Sequence, residues 1–178
     1  ENMGQGTVEV ESSGFGHLRG VGQADIRPQV SGTLIRQVYW DGSICDKGEL
    51  LFEIDPATYQ AAVDREAANL ATARAVKLQA EASLNRVQKD LDRYDKLIRT
   101  GAISVENLTD AQQDLKEMQA ALEQAEAGIK QAEASLENAR INLDRTKVRA
   151  PFRGLASKAT ASVGELISAS GSPLTTMS

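Results

Sequence analysis

The middle of the chain follows a helical pattern. Between Pro56 and Arg145 there is no further proline, and glycine occurs only at Gly101 and Gly128. Most other positions there hold Ala, Leu, Gln, Glu, Lys or Arg, which lose little conformational freedom on entering a helix. The segment therefore predicts two long helices.

Local residues predict where these helices begin and end. Asp55 can cap free backbone amides, and Pro56 suits the first helical position because its missing N–H had no partner there. Gly101 ends the first helix, since glycine adopts the left-handed backbone conformation with little steric strain. Ser104 caps the second helix. A turn this short forces the two helices to run antiparallel.

Both helices carry an apolar stripe with alternating spacings of three and four, which is typical of a coiled coil. In the second helix the stripe is Leu108, Ala111, Leu115, Met118, Leu122, Ala125, Ile129, Ala132, Leu136, Ala139 and Leu143. In the first helix it is Val63, Glu66, Leu70, Ala73, Lys77, Ala80, Leu84, Val87, Leu91, Tyr94 and Ile98. Antiparallel pairing matches Leu with Leu and Ala with Ala, so we expect close approach at the Ala levels. Glu66 and Lys77 are expected to reach outward to solvent.

The flanks of this segment follow a different pattern. They are rich in Gly, Val, Ile, Thr and Ser, and short alternating stretches at Ile26 to Val30, Leu34 to Val38 and Leu50 to Ile54 predict strands. The predicted fold class is therefore α+β, with a β domain interrupted by a long antiparallel helical hairpin.

Composition excludes several classes of function. With 20 basic and 25 acidic residues, a net charge of -5 and 4% aromatic residues, the chain lacks the basic stripe of a nucleic-acid-binding protein. Cys45 and His17 are single, so they form neither a disulfide nor a structural metal site. No apolar run reaches the roughly 20 residues that span a bilayer. There is no catalytic constellation, so we expect no enzyme, cofactor or metal.

The two flanks resemble the halves of a biotinyl/lipoyl domain. The first half reads RPQVSG from Arg27 and DKGELLFEID from Asp46, and the second half reads TKVRAPFRG from Thr146. In a carrier domain of that family, an exposed turn with the modified lysine would follow the first half. Here the chain continues through Pro56 into the helices, and no lysine occupies that place.

A lipoyl-type domain split by a coiled-coil hairpin resembles the periplasmic adaptor, or membrane fusion, proteins of resistance-nodulation-division tripartite efflux pumps. The resemblance covers about Ile26 to Met177 and implies a lipoyl-like β-sandwich, or barrel-sandwich hybrid. Its halves would be residues 26–55 and 146–178, and the hairpin would be residues 56–145, with its tip near 99–104. Residues 1–25 would form an N-terminal extension or a strand linked to a β-barrel.

The resemblance also implies a function. The chain would be a periplasmic, non-enzymatic adaptor that links an inner-membrane efflux transporter to a TolC-like outer-membrane channel in a multidrug efflux pump. It would self-associate as a hexamer, bind the transporter through regions absent from this chain, and be anchored to the inner membrane in the full-length protein. The family contacts the channel through an Arg, a Leu four residues on and a Ser seven beyond that, which correspond here to Arg93, Leu97 and Ser104.

Other interpretations stay open at this point. The same architecture could serve an ABC or major-facilitator exporter, the flanks could form a lipoate or biotin carrier, or the coiled coil could be purely structural. The tip residues also have plain roles: Arg93 as a solvated helix residue, Leu97 as a flank of the apolar stripe and Ser104 as a helix cap.

Overall fold

A computed structural model of the protein describes residues 22–178. It divides into two compact units. Of the described residues, the sandwich unit contains 22–56 together with Asn142–Ser178, and the hairpin unit contains Ala57–Ile141.

The sandwich unit is built from eight short strands in the described part of the chain. They are β1 (Ala24–Ile26), β2 (Gly32–Gln37), β3 (Ile44–Cys45), β4 (Leu50–Ile54), β5 (Lys147–Arg149), β6 (Gly154–Leu155), β7 (Leu166–Ile167) and β8 (Thr175–Met177). The antiparallel pairs are nested, because β1 pairs with β8, β2 with β7, β3 with β6 and β4 with β5. Each strand of the second half therefore closes on a strand of the first, and β2 also pairs with β4.

The core of the sandwich unit comes from the inward-facing residues of both halves. Leu34, Leu51, Phe52, Ile54 and Met177 are almost completely buried. The ring of Tyr39 meets that of Phe52 edge-on, with centroids 5.4 Å apart and an interplanar angle of 82°. Edge-to-face packing of this kind suits the opposite charges of aromatic edge and face.

The first predicted strand is wrong in its extent. The sequence predicts a strand from Ile26 to Val30, whereas β1 ends at Ile26. Pro28 has no N–H to donate to a ladder, which explains why the strand does not continue. Since β1 starts at Ala24, the last residues of the predicted N-terminal extension belong to the sandwich. The rest of that extension, residues 1–21, lies outside the described residues.

The hairpin unit consists of two long helices. They are α1 (Ala57–Arg99) and α2 (Val105–Asp144). The last three residues of α2 belong to the sandwich unit. Every stripe position predicted from the sequence is buried or half-buried, whereas most positions between them are exposed. The predicted fold class, a lipoyl-like sandwich interrupted by a helical hairpin, is confirmed.

The polar residues on the stripe find partners within the hairpin. The Nζ of Lys77 lies 3.7 Å from Oε1 of Glu81 and 3.9 Å from Oε1 of Glu126. The Glu66 side chain is only 17% exposed, and its Oε1 lies 3.3 Å from Nη2 of Arg65. The expectation that Glu66 reaches outward to solvent is therefore wrong. Its carboxylate stays in a largely buried position because the neighbouring guanidinium of Arg65 balances its negative charge.

Candidate partner-contact site

The turn of the hairpin is fixed by a glycine and by backbone hydrogen bonds. The N–H of Ala102 donates to the carbonyl of Leu97 at 3.1 Å, and the N–H of Gly101 donates to that of Ile98 at 3.1 Å. This is the Schellman pattern that satisfies the last carbonyls of a helix, and it requires a left-handed residue. Gly101, with φ of +75°, supplies it.

The second helix is capped as the sequence predicts. The Oγ of Ser104 accepts a hydrogen bond from the backbone N–H of Asn107 at 3.3 Å. This bond satisfies one of the amides left free at the start of α2. The hydroxyl side chain of Ser104 is nevertheless exposed, so the residue is accessible at the tip.

The structure places all three predicted contact residues close to this turn. Arg93 and Leu97 are four residues apart on α1 and so share a face of that helix. The Arg93 side chain is 63% exposed, its Nη2 lies 3.1 Å from Oδ1 of Asp90, and its guanidinium carbon lies 5.6 Å from the ring centroid of Tyr94. Leu97 is half-buried. The tip therefore combines an exposed cation, a partly exposed apolar side chain and a small hydroxyl.

Sequence reasoning missed a concavity of about 360 Å³ near the tip. It is lined by Tyr94, Ile103, Asn107, Asp110, Ala111 and Asp114. Asp110 and Asp114 lie one turn apart on α2, which is the pattern that could have revealed this acidic surface. The region near the turn thus presents carboxylates as well as the cation of Arg93.

A second concavity, of about 490 Å³, lies midway along the hairpin. It is lined by Ala73, Val76, Gln79, Ala80, Ser83, Met118, Ala121, Gln124, Ala125 and Gly128. The small side chains expected to let the helices approach closely thus also leave an apolar groove on the surface of the pair.

Residues 22–178 contain neither a group of metal ligands nor a membrane-spanning helix. In that range no group of His, Cys, Asp and Glu is arranged to hold a metal ion, and no helix is long and apolar enough to cross a membrane. Only two residues, Asp55 and Pro56, separate β4 from α1, so the turn that would bear a carrier lysine has none.

A β-sandwich made of two chain segments, with a long antiparallel helical pair between them, defines the class of membrane fusion proteins. The solved structure of MacA from Actinobacillus actinomycetemcomitans has this fold, with a TM-score of 0.79 and 27% sequence identity over 86% of this chain and 47% of that one. Residues 22–176 match the family model described as "RND MFP, barrel-sandwich hybrid domain". The chain therefore belongs to the RND membrane fusion protein family, whose members are non-enzymatic adaptors of efflux pumps.

Curated relatives agree with this family. The chain is 40% identical over 94 residues to the multidrug efflux pump subunit AcrA of Escherichia coli K12, a match that covers 51% of this chain and 22% of AcrA. It is 33% identical over 88 residues to the multidrug resistance protein MexA of Pseudomonas aeruginosa, covering 49% of this chain and 19% of MexA. The matches thus span about a fifth of these relatives.

Proposed function

We propose that this chain is the part of a periplasmic adaptor that links an inner-membrane efflux transporter to a TolC-like outer-membrane channel in a tripartite drug efflux pump. Family membership supports the adaptor role. The observation that carries the linkage is the hairpin, which interrupts the sandwich and ends in Arg93, Leu97 and Ser104. The proposed adaptor is anchored to the inner membrane and also engages the transporter.

The hairpin suits a protein that reaches across a distance. A helix of 43 residues, such as α1, extends about 60 Å at a rise of about 1.5 Å per residue. The largely apolar stripe holds α2 along it, so the pair is stiffer than a single helix. Such an element carries its tip far from its base while burying little surface of its own.

The tip residues have the chemistry of a small protein contact. Leu97 offers an apolar contact, and Arg93 offers charge-assisted hydrogen bonds to carbonyls or carboxylates of the channel. Ser104 is small enough to let two helical tips approach. So small an area binds weakly in one copy, but several copies held together bind strongly through effective concentration.

Charge on the two helices supports side-by-side assembly of copies, with a hexamer as the number that the family resemblance implies. The helix α1 carries eight basic and six acidic side chains, whereas α2 carries three basic and nine acidic ones. An excess of positive charge on one helix and of negative charge on the other favours contact between α1 of one copy and α2 of the next. Contacts of this head-to-tail kind close into a ring when the rotation from one copy to the next closes, as the proposed hexamer requires.

Site-specific crosslinking in cells tests the channel contact. A photo-crosslinking amino acid at position 97 or 104 of the full-length protein should capture the outer-membrane channel. The same amino acid at position 78, where Leu78 is 67% exposed away from the turn, is the control and should not. Capture of no channel from either tip position would count against the proposal.

One alternative has a supporting observation. LipC, described as a membrane fusion protein of a type I secretion system, shares the fold with a TM-score of 0.58 at 12% identity, so this fold also serves another kind of exporter. Purification of the full-length protein with its inner-membrane partner discriminates, because the partner is an RND transporter under the proposal and an ABC or major-facilitator exporter under the alternative.

A further inference from the structure

The sandwich unit contains an arginine-lined pocket that lies outside the proposed channel contact. The pocket has a volume of about 200 Å³ and is lined by Asp25, Ile26, Arg27, Gln29, Arg145, Val148, Arg149 and Pro151. Its three arginines come from separate segments. Arg27 follows β1, Arg145 lies between α2 and β5, and Arg149 lies on β5. The buried side chains of Ile26 and Val148 form an apolar base between them.

These guanidinium groups keep most of their donors available. The Nη1 of Arg27 donates to the carbonyl of Gly171 at 3.2 Å, and its Nη2 lies 3.5 Å from Oδ2 of Asp25. The Nη1 of Arg149 donates to the carbonyl of Gly48 at 3.1 Å. Since each guanidinium has five N–H donors, these bonds position the groups without exhausting them. Asp25 offsets one of the three charges, so the pocket stays basic on a chain whose net charge is -5.

We propose that this pocket binds Asp or Glu side chains on an acidic segment of a partner protein. The planar fork of arginine matches a carboxylate with two parallel hydrogen bonds, and the apolar base accommodates the methylene groups of the same side chain. The pocket thus adds a docking surface on the sandwich unit to the one proposed at the hairpin tip.

The exposure of the pocket points to a macromolecule rather than a free anion. An ion pair between exposed groups changes affinity by at most about fivefold, and salt weakens it further. Small anions would therefore bind poorly, whereas several carboxylates on one chain bind together. The carboxylate of Asp25 also disfavours a doubly charged phosphate, and the lining residues include no aromatic ring on which a nucleic-acid base could stack.

A labelled octaglutamate peptide is the probe, with octaglutamine as its uncharged counterpart, and binding to the whole chain is followed by fluorescence anisotropy at low salt. The triple variant Arg27→Gln, Arg145→Gln, Arg149→Gln should weaken octaglutamate binding by at least about tenfold and flatten its salt dependence. The control variant Arg36→Gln, Arg153→Gln, Lys158→Gln removes the same charge elsewhere in the sandwich unit and should bind nearly as wild type. Thermal unfolding establishes that both variants are folded.

Several results would overturn the proposal. Equal losses in the two triple variants would show a general effect of charge, and undetectable binding to the wild-type chain would show no site. Full displacement of the peptide by millimolar inorganic phosphate would identify a small-anion site instead. Self-association of the wild-type chain that disappears only in the pocket variant would assign the pocket to contacts between copies rather than to a separate partner.

Discussion

The ammonium of Lys77 on α1 lies 3.9 Å from the carboxylate of Glu126 on α2, so an ion pair crosses the hairpin at one of the two charged positions of the α1 stripe. The Lys77 side chain remains 35% exposed and also contacts Glu81. An isolated pair of this exposure contributes little to stability, about 0–1 kcal/mol. A polar residue in a coiled-coil seam can instead help to fix which positions of the two helices face each other.

Replacement of Lys77 by leucine should therefore stabilise the hairpin. Leucine adds apolar contact along the stripe and loses only the weak pairs with Glu81 and Glu126, so we expect a gain of about 1 kcal/mol in the free energy of unfolding. Lys77→Glu should destabilise, because it places three carboxylates together. Urea denaturation followed by circular dichroism measures both, with Lys89→Leu at an exposed position of α1 as the control. A loss of stability in Lys77→Leu would mean that the ion pairs matter more than their exposure indicates.

The two glycines of the hairpin should respond in opposite ways to alanine. At Gly101 nothing lies within 4 Å of an added Cβ, but φ is +75°, so Gly101→Ala should cost about 1–2 kcal/mol from backbone strain alone. Gly128 is helical and equally uncrowded, so Gly128→Ala should stabilise by about 0.5–1 kcal/mol. Urea denaturation of the two variants checks the contrast, and changes of the same sign would contradict it.

Local rules were sufficient to predict the hairpin from the sequence. A period of seven residues identifies the buried face of each helix without knowledge of the partner, and Gly101 and Ser104 mark the turn by their backbone and capping preferences. These rules did not predict the environment of Glu66. Its ion pair with Arg65 depends on side-chain conformations that no periodicity encodes.

The sandwich unit was less predictable because its contacts are distant in sequence. Pairing of β1 with β8 joins residues about 150 positions apart, and only the resemblance to lipoyl domains suggested that the flanks close together. The tip residues came from that resemblance as well, and their role stays a prediction. The arginine pocket gave no sequence signal, since Arg27 belongs to the first half of the sandwich unit and Arg149 to the second, and only the closure of the two halves brings them together.

Gly32 should be intolerant of a side chain because of its contact with Ile54. A Cβ at position 32 would lie 2.6 Å from Cγ2 of Ile54, which is completely buried. Gly32→Ala should therefore cost about 1–3 kcal/mol through overpacking. Leucine at position 54 removes the branch at Cβ, so Ile54→Leu should recover at least about 0.5 kcal/mol in a double-mutant cycle. Strict additivity of the two substitutions would show that this contact is not the cause.

Alkaline pH should weaken the sandwich unit through Tyr39. Burial raises the pKa of its phenol above the ordinary value of 10.0, a side-chain hydrogen bond with Thr175 lowers it, and electrostatic interactions with Asp41 and Cys45 raise it. The native state thus keeps this proton to a higher pH than the unfolded chain. The stabilisation is complete below about pH 10 and is lost as the pH rises from there toward the folded-state pKa.

The variant Tyr39→Phe isolates this effect. At neutral pH it should lose about 1 kcal/mol, because the hydroxyl donates to the carbonyl of Ser157 at 2.9 Å. Its stability should then fall less steeply than that of the wild type between about pH 9 and pH 11. Urea denaturation across this range measures both slopes, with Tyr94→Phe in the hairpin as the control. Parallel slopes in the wild type and Tyr39→Phe would contradict the assignment.

Substitutions at Ser104 separate the proposed channel contact from helix capping. Both Ser104→Ala and Ser104→Arg remove the Oγ that accepts from Asn107, so each should cost about 1 kcal/mol of hairpin stability. Only arginine adds bulk and charge where two helical tips would meet. In the full-length protein, Ser104→Arg should therefore abolish drug resistance, and Ser104→Ala should retain most of it.

Arg93→Ala should reduce resistance more than Arg86→Ala, which removes an exposed arginine further from the turn. Minimum inhibitory concentrations of exported drugs, measured at equal protein levels, give the result. Equal loss of resistance in both Ser104 variants would assign the serine to helix capping alone, and unchanged resistance in Ser104→Arg and Arg93→Ala would remove the tip from the proposed contact.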